Sequence, residues 1–309
     1  MEVRLKPLIK GSLSFAIPSL RSTRQVGVER AGPDYCYSIF LRHFSHVAPI
    51  TGGKVPKNVA EFGPGSSIGV GLAALLAGAE TYTGLDVVDS TDDALNLAMF
   101  DGLVALFQAR KSIPREGESA AIFTAPVDWD FPGALVPNLE SSLNADRLRR
   151  IRADIVAKSG AFIRLAAPWT DPNVLPAQSV DWILSQSVLE HVDDLAMLTA
   201  ASARWLRLDG VMSHEIDYFC HDLTQHWNGH WAVGPHVWKM IRGRRPYLIN
   251  RIPHSRQMEL LRDSGFEIVS EVCDRREHGL PRADFVAPFN RMSESDAATA
   301  VAFVVAKRA

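Results

Sequence analysis

The chain has 309 residues, of which 47% are hydrophobic and 22% charged, and its formal net charge is -2 at pH 7. This length and apolar content suffice for one large domain with a full core and one smaller insertion or cap. A near-neutral charge argues against a nucleic-acid or anionic-membrane partner, because such partners select a clustered basic excess. The short run of Arg242, Arg244 and Arg245 is typical of a solvated turn, although an acidic substrate could also use it.

Cysteine usage and hydropathy indicate where the protein works. Cys36, Cys220 and Cys273 show no CxxC spacing, and the first residues lack the charged-then-apolar pattern of a leader. No apolar stretch reaches the ~20 residues that a membrane span needs. We therefore expect a soluble, cytoplasmic protein without disulfides or a membrane partner, and the sequence does not indicate its oligomeric state.

The N-terminal part, residues 1–57, is predicted to form an arm and a cap helix. Residues 1–33 are basic and interrupted by proline and glycine, which indicates an irregular arm. Asp34 offers an N-cap for a helix that runs to about Val47. Its apolar residues recur at helical spacing and predict a lid or brace packed on the core: Tyr37, Phe40, Leu41 and Phe44.

Strand and helix patterns alternate over the next part of the chain. The predicted strands and helices are, in order, 57–62, 66–79, 81–86 and 92–110. This alternation predicts an α/β fold with a parallel sheet and helices on both faces. Residues 111–160 then interrupt the pattern with a proline-dotted stretch and a helix from about Asn144. An insertion of this length usually shapes a substrate pocket or an oligomer contact.

The alternation returns after the insertion and completes a domain that we place at residues 58–309. The further predicted strands are 161–167, 179–185, 210–217, 265–272 and 299–308. The further predicted helices are 193–206 and 255–263. A loop rich in histidine and tryptophan separates the fifth strand from the last helix.

The stretch "EFGPGSSIG" (61–69) marks a candidate ligand-binding turn between the first strand and the first helix. Glycine turns at this position bind dinucleotides or S-adenosylmethionine. A dinucleotide fingerprint has its third glycine three residues after the second, whereas Gly69 comes one position late after Gly63 and Gly65. Asp86, at the end of the second predicted strand, can accept hydrogen bonds from both ribose hydroxyls of either ligand. The alternative is that Asp86 only caps a turn.

Two phrases carry a resemblance to a known family. "SVDWILSQSVLEHVDDL" (179–195) resembles the D-x-I-x-S-x-x-V-L-E-H-V phrase of the class I S-adenosylmethionine-dependent methyltransferases, small-molecule type. "EFGPGSSIG" likewise resembles their E-x-G-x-G motif, and the resemblance extends over residues 58–309. It implies a Rossmann-like seven-stranded mixed sheet whose last strand lies antiparallel between the fifth and sixth. An N-terminal helical arm and an inserted cap segment would complete the fold.

The resemblance also implies a cofactor and its contacts. S-adenosyl-L-methionine would lie with its methionine part on Gly63 and Gly65, its ammonium group at Glu61 and its ribose at Asp86. Neighbouring residues complete the predicted cofactor site: Phe62, Pro64, Val87, Ser185 and Gln186. Relatives place an acidic residue near the adenine after the third strand, and here the candidates are Asp171 and, by stacking, Trp169.

Methyl transfer to a hydroxyl group also requires removal of a proton, for which histidine is suited. His191, after the fourth strand, and His214, near the end of the fifth, are the predicted catalytic residues. "LRLDGVMSHEIDYFCHDL" (206–223) resembles a subset of the family with an H-x-I-D phrase that acts on sugars or other small hydroxylated molecules. For His191, a structural role at a helix start, bonded to the backbone, is equally compatible. Strand alternation places His214 and Glu215 on opposite faces.

The histidines beyond the fourth strand also raise a metal hypothesis. The side chains concerned are His214, Asp217, His221, His226, His230 and His236. None of their spacings matches HExxH or a CxxC set, so we assign no metal ligand from the sequence. We expect "HWNGHW" (226–231) to form an aromatic wall for a sugar ring or another flat apolar face.

The sequence therefore predicts a methyltransferase that uses S-adenosylmethionine to O-methylate a small-molecule or sugar-type acceptor with a histidine base. N- or C-methylation stays open, because an amine acceptor needs no such base. Two hypotheses from different classes stay open as well. One is a catalytically silent nucleoside-binding protein of the same fold, and the second is a nicotinamide oxidoreductase.

Overall fold

A seven-stranded sheet forms the centre of the protein. The computed structural model describes residues 3–17, 19, 32–114, 124–245 and 248–309. The strands are β1 (Asn58–Phe62), β2 (Thr81–Leu85), β3 (Ile163–Ala166), β4 (Val180–Gln186), β5 (Leu206–Asp217), β6 (Phe266–Arg275) and β7 (Thr299–Arg308). They follow the order β3-β2-β1-β4-β5-β7-β6, and β7 runs antiparallel to both neighbours while the other pairs are parallel. The expected Rossmann-like mixed sheet, with its last strand inserted between the fifth and sixth, is confirmed.

Helices cover both faces of this sheet. They are α1 (Leu5–Leu13), α2 (Pro33–Val47), α3 (Gly69–Ala77), α4 (Asp93–Ala109), α5 (Val136–Ser142), α6 (Ala145–Ala157), α7 (Leu195–Trp205), α8 (Pro235–Arg242), α9 (His254–Asp263) and α10 (Glu294–Ala298). One core layer joins α2, α3 and α4 to the sheet, and another joins α7 and α9 to its opposite face. No helix within the described segments is long and apolar enough to cross a membrane.

The N-terminal arm departs from expectation. Residues 5–13, expected to be irregular, form α1, while residues 20–31 lie outside the described part of the chain. Gly11 lets α1 pack directly on α8, because a Cβ there would lie only 2.1 Å from the carbonyl oxygen of Ile241. The two backbones touch, and this tertiary contact leaves no periodic signal in the sequence. Helices α5 and α8 were likewise not predicted.

Helix α2 acts as a brace. Its residues Tyr37, Phe40 and Phe44 are fully buried in the core layer with α3 and α4. Arg42 is also buried, and its guanidinium donates hydrogen bonds to the carbonyl oxygens of Thr124 (2.6 Å) and Pro114 (2.9 Å). The helix therefore fastens both described parts of the insertion, residues 111–114 and the part that begins at Thr124, to the core. Within the insertion, α5 packs on α3 and α6 packs on α4, which extends this helical layer.

Close packing of α3 on β2 generates a stability prediction. A Cβ at Gly71 would lie 2.2 Å from the ring of Tyr82, whose ring is fully buried. We expect Gly71→Ala to lower the free energy of unfolding by about 1–3 kcal/mol, as overpacked cores do, despite the better helix propensity of alanine. Gly133→Ala, at a site with open space, is the matched control. Urea unfolding measures both, and equal stability of the two variants would contradict the packing argument.

Candidate cofactor site and acidic cluster

The site lies where β1, β2 and β4 end. β1 connects to β2 on one side of the sheet and has β4 on its other side, so the strand order reverses at this point. In open α/β sheets the crevice at such a switch point is where ligands bind. The predicted glycine turn follows β1 directly, and Asp86 follows β2.

The glycine turn needs its glycines for two reasons. Gly63 and Gly65 have φ of +67° and +70°, the left-handed region that side chains disfavour. A Cβ at Gly63 would also lie 2.6 Å from a methyl group of Val188, in the turn after β4. The loop therefore lies directly against the end of β4.

Asp86 is joined to this loop. Its carboxylate accepts hydrogen bonds from the backbone N–H of Gly65 (3.2 Å) and of Val87 (2.7 Å). Burial raises the pKa of Asp86, which these backbone donors partly offset. A small cleft beside the carboxylate is lined by Pro64, Gly65, Gly84, Asp86, residues 88–91 and residues 165–167. The structure thus brings the predicted loop and the predicted ribose ligand together.

Glu61 lies beneath the loop and is 4% exposed. Its carboxylate accepts a hydrogen bond of 2.7 Å from the hydroxyl of Tyr82. Burial raises its pKa to about 7, against the lowering effect of that hydrogen bond. A cation brought beside it would favour the charged form.

Several predicted contacts are core side chains. Phe62 is buried, and Trp169, 5% exposed, packs its ring 5.1 Å from Phe62 and 6.5 Å from Trp205. Trp169 therefore offers no free face to an adenine in this structure. Asp171 is exposed and accepts a hydrogen bond from the N–H of Asn173, as a turn residue does. The adenine contact stays a prediction, and residues 88–91, which line the cleft, were not singled out from the sequence.

His214 is enclosed by the core. It has no exposed surface, and its Nδ1 lies 2.8 Å from the hydroxyl of Ser185, which is also fully buried. Burial, helped by the nearby His43, lowers the pKa of His214 to about 3. An acceptor does not reach either side chain in this structure. Their predicted roles, in catalysis for His214 and in cofactor binding for Ser185, stay predictions.

A polar network ties Gln186 to the other face of the sheet. Its amide donates to the carboxylate of Glu215, and its side-chain oxygen lies 3.2 Å from Nε2 of His43. Glu215 also accepts from the N–H of Thr124 (2.9 Å), while Nδ1 of His43 contacts the hydroxyl of Ser213 (2.8 Å). Burial lowers the pKa of His43 to about 4. Helix α2 is thereby coupled to the ends of β4 and β5.

A second group of polar side chains lies just beyond the ends of β4 and β5. We call Glu190, His191, His221 and Asp217 the Glu190 cluster. Ligand atoms of the first three all lie within 4.8 Å of one another, and Oδ2 of Asp217 lies 3.4 Å from Nε2 of His221. Burial, and then the nearby charge of Asp217, raises the pKa of Glu190 well above its usual range, and the nearby backbone N–H groups only partly oppose this. The structure thus brings His191 together with residues from the fifth-strand region.

Asn250 holds the backbone of this cluster and was missed from the sequence. Its side-chain amide donates to the carbonyl oxygens of Leu189 (2.8 Å) and Val192 (2.9 Å). Its backbone N–H donates to the carbonyl oxygen of Glu190 (2.7 Å). The "VLEHV" segment consequently forms a single 3-10 turn, Leu189–His191, before α7 begins. A lone asparagine 61 residues from Leu189 carries no sequence signal for this contact.

The remaining histidine-rich loop does not form the expected aromatic wall. Trp231 is 1% exposed and packs its ring against Phe285 in the core, so it does not face a substrate. The ring of Trp227 packs edge-on against Phe219 instead. Burial lowers the pKa of His230 well below its usual range. The expectation was wrong for Trp231, because the aromatic composition of a loop does not reveal which of its rings are buried.

Comparison with known proteins gives limited information. No family profile matches the chain, and no curated protein matches its sequence. Similar solved structures include an S-adenosylmethionine-dependent methyltransferase from Methanosarcina mazei (14% identity, 82% of this chain and 93% of that one, TM-score 0.41). A second S-adenosylmethionine-dependent methyltransferase, from Mesorhizobium loti, is 14% identical over 85% of this chain and 98% of that one, with a TM-score of 0.38. A third structure, geranyl diphosphate C-methyltransferase from Streptomyces coelicolor, is 12% identical over 82% of this chain and 72% of that one, with a TM-score of 0.41. Likeness at this level says nothing about ligand or reaction.

Glu61 generates a prediction for the pH dependence of stability. Its folded-state pKa of about 7 lies above the ordinary 4.5, so the folded protein binds the proton more tightly than the unfolded chain. Its contribution to stability is therefore complete at low pH and is lost as the pH rises towards 7, by up to roughly 3 kcal/mol. Glu61→Gln keeps an acceptor for Tyr82 and should remove this pH-dependent contribution to the free energy of unfolding. Urea unfolding of both proteins from pH 5 to 8 measures it, and parallel profiles would contradict the assignment.

Proposed function

We propose that the protein is a methyltransferase that uses S-adenosyl-L-methionine. The observation that carries the proposal is the left-handed turn at Gly63 and Gly65, joined to Asp86 at the strand switch point with Glu61 buried below. A turn of this kind allows close approach of a ligand to the backbone, and a fixed carboxylate suits an ammonium group. Asp86 retains lone pairs for ribose hydroxyls. The displaced Gly69 does not complete a pyrophosphate-binding fingerprint.

We further propose that the acceptor is a small hydroxylated molecule, with O-methylation as the reaction. The support is the Glu190 cluster, which lies at the same end of the sheet and contains groups able to bind or deprotonate a hydroxyl. Of the two histidines predicted to act as the base, an acceptor can reach His191, whose side chain is 32% exposed. Methylation of an amine would need neither histidine as a base, and C-methylation stays an alternative. Residues 58–309 would form the catalytic domain, with the 111–160 insertion at its side and the cytoplasm as its location.

Binding of the cofactor can be tested through Asp86. Loss of its charge-assisted hydrogen bonds should weaken S-adenosylmethionine binding by about 1.5–3 kcal/mol, or roughly 10- to 150-fold. Titration calorimetry on Asp86→Ala measures the loss of affinity. The control is Asp101→Ala, which changes an exposed residue of α4 that forms an ion pair with Arg152. Equal affinity of native protein and Asp86→Ala, or tighter binding of NAD by the native protein, would refute the cofactor assignment.

The two predicted bases can be separated by paired variants. If His191 takes the proton, His191→Ala should lower turnover by roughly 10² to 10⁴ and leave cofactor affinity unchanged. His214→Ala should instead lower the free energy of unfolding by about 2–4 kcal/mol, since it opens a cavity and leaves Ser185 unpaired. Transfer of labelled methyl to a panel of sugars and other hydroxylated compounds measures turnover.

Full turnover in His191→Ala would exclude it as the base. A large loss of turnover in folded His214→Ala would instead assign the role of base to His214.

A further inference from the structure

Glu190 presents a polar group that the fold leaves unsatisfied. The residue is 3% exposed, and no side chain of the described residues donates a hydrogen bond to its carboxylate. Leaving a buried carboxylate unpaired is costly, and such a group in a native structure calls for an explanation such as an ion. Asn250 fixes the surrounding backbone, so the carboxylate is held in this position.

The neighbours of Glu190 are metal ligands by type. Nε2 of His191 lies 3.9 Å from Oε1 of Glu190, and His221 completes a set whose ligand atoms lie within 4.8 Å of one another. Ligands of a tetrahedral zinc ion are about 3.4 Å apart, given bonds of about 2.1 Å. A contraction of at most about 1.4 Å between these atoms would therefore close the site. The exposed parts of His191 and His221, 32% and 35%, leave an entry path for an ion.

We propose that Glu190, His191 and His221 bind a divalent transition-metal cation, with zinc as the reference ion. Two imidazoles and one carboxylate favour such an ion over Mg²⁺ or Ca²⁺, which prefer oxygen ligands throughout. Asp217 lies beside the ring of His221 and orients it, as carboxylates do behind ligating histidines. Three protein ligands leave a fourth position for water or for an oxygen atom of a bound substrate.

The position of this site deepens the proposed function. Val188, two residues before Glu190, contacts the glycine turn at Gly63, so the ion would lie next to the methionine end of the proposed cofactor site. A hydroxyl group bound to the ion would lose its proton to solvent water more readily, and His191 would serve as a ligand rather than as the base. The metal site itself rests only on the Glu190 cluster, and its test does not require methyl transfer.

A second group of candidate ligands does not share these features. His254, Glu271 and Cys273 also lie within 4.8 Å of one another. Both ring nitrogens of His254 already have partners, the hydroxyl of Tyr218 at 3.1 Å and the carboxylate of Glu271 at 3.0 Å. The polar atoms of His254 therefore have partners without an ion, and this second group supplies the matched control.

The experiment measures metal binding to the full chain after treatment with a chelator. Titration calorimetry with Zn²⁺, and visible absorbance with Co²⁺, should show one ion per chain. Glu190→Gln should lower the Zn²⁺ affinity at least 10-fold, whereas Glu271→Gln, the same change in the other group, should leave it unchanged. His221→Asn provides a second variant in case Glu190→Gln fails to fold, because asparagine tolerates the φ of +47° at this position and is a poor zinc ligand.

Three results would each overturn the proposal. The first is native Zn²⁺ affinity in both Glu190→Gln and His221→Asn, and the second is a loss of affinity in Glu271→Gln alone. The third is the absence of stoichiometric Zn²⁺ binding by the native protein. In the last case Glu190 would be a buried, protonated acid. Metal binding without S-adenosylmethionine binding would refute the proposed function and leave the metal site standing.

Discussion

The contact between the glycine turn and the end of β4 is the constraint on which the rest of the site depends. At Gly63 the backbone has a positive φ and approaches Val188 so closely that no side chain fits between them. This contact fixes the distance from the loop after β1 to the turn after β4. Asp86, bonded to the N–H of Gly65, fixes the loop on its other side. The proposed cofactor site and the Glu190 cluster are therefore two sides of one rigid junction.

Two buried acids flank this junction and are stabilised differently. Glu61 has the hydroxyl of Tyr82 as a donor and a pKa of about 7. Glu190 has no side-chain donor within the described residues, and the same kind of burial raises its pKa. A protein uses buried carboxylates at a cost, and such groups concentrate at functional sites. This difference is consistent with the two proposed roles, in which Glu61 binds a cationic group of the cofactor and Glu190 binds a metal ion.

The histidines show why exposure decides between a structural and a chemical role. His43 and His214 are completely enclosed, and burial lowers the pKa of each far below neutrality. His43 on α2 contacts Ser213 and Gln186 of the sheet, whereas His214 contacts Ser185 on the neighbouring strand. His191 and His221 remain partly exposed on the turns beyond β4 and β5. The sequence does not distinguish the buried histidines from the exposed ones. Strand alternation shows which residues share a face of the sheet, but it does not show which face other segments cover.

The sequence by itself determined the order of the seven strands along the chain, the glycine turn, the acid after β2 and six of the helices, namely α2, α3, α4, α6, α7 and α9. These features are local, since hydrophobic periodicity, capping residues and glycine act within a few residues of chain. The tertiary structure alone decided that Trp169 and Trp231 are core residues, that Ser185 pairs with His214, and that Asn250 clamps the turn of Glu190. It also decided that α1 packs on α8 through the close backbone approach at Gly11. Each of these features depends on which distant segment covers a residue. Burial and hydrogen bonding between remote parts of the chain produce no regular residue spacing from which they could be predicted.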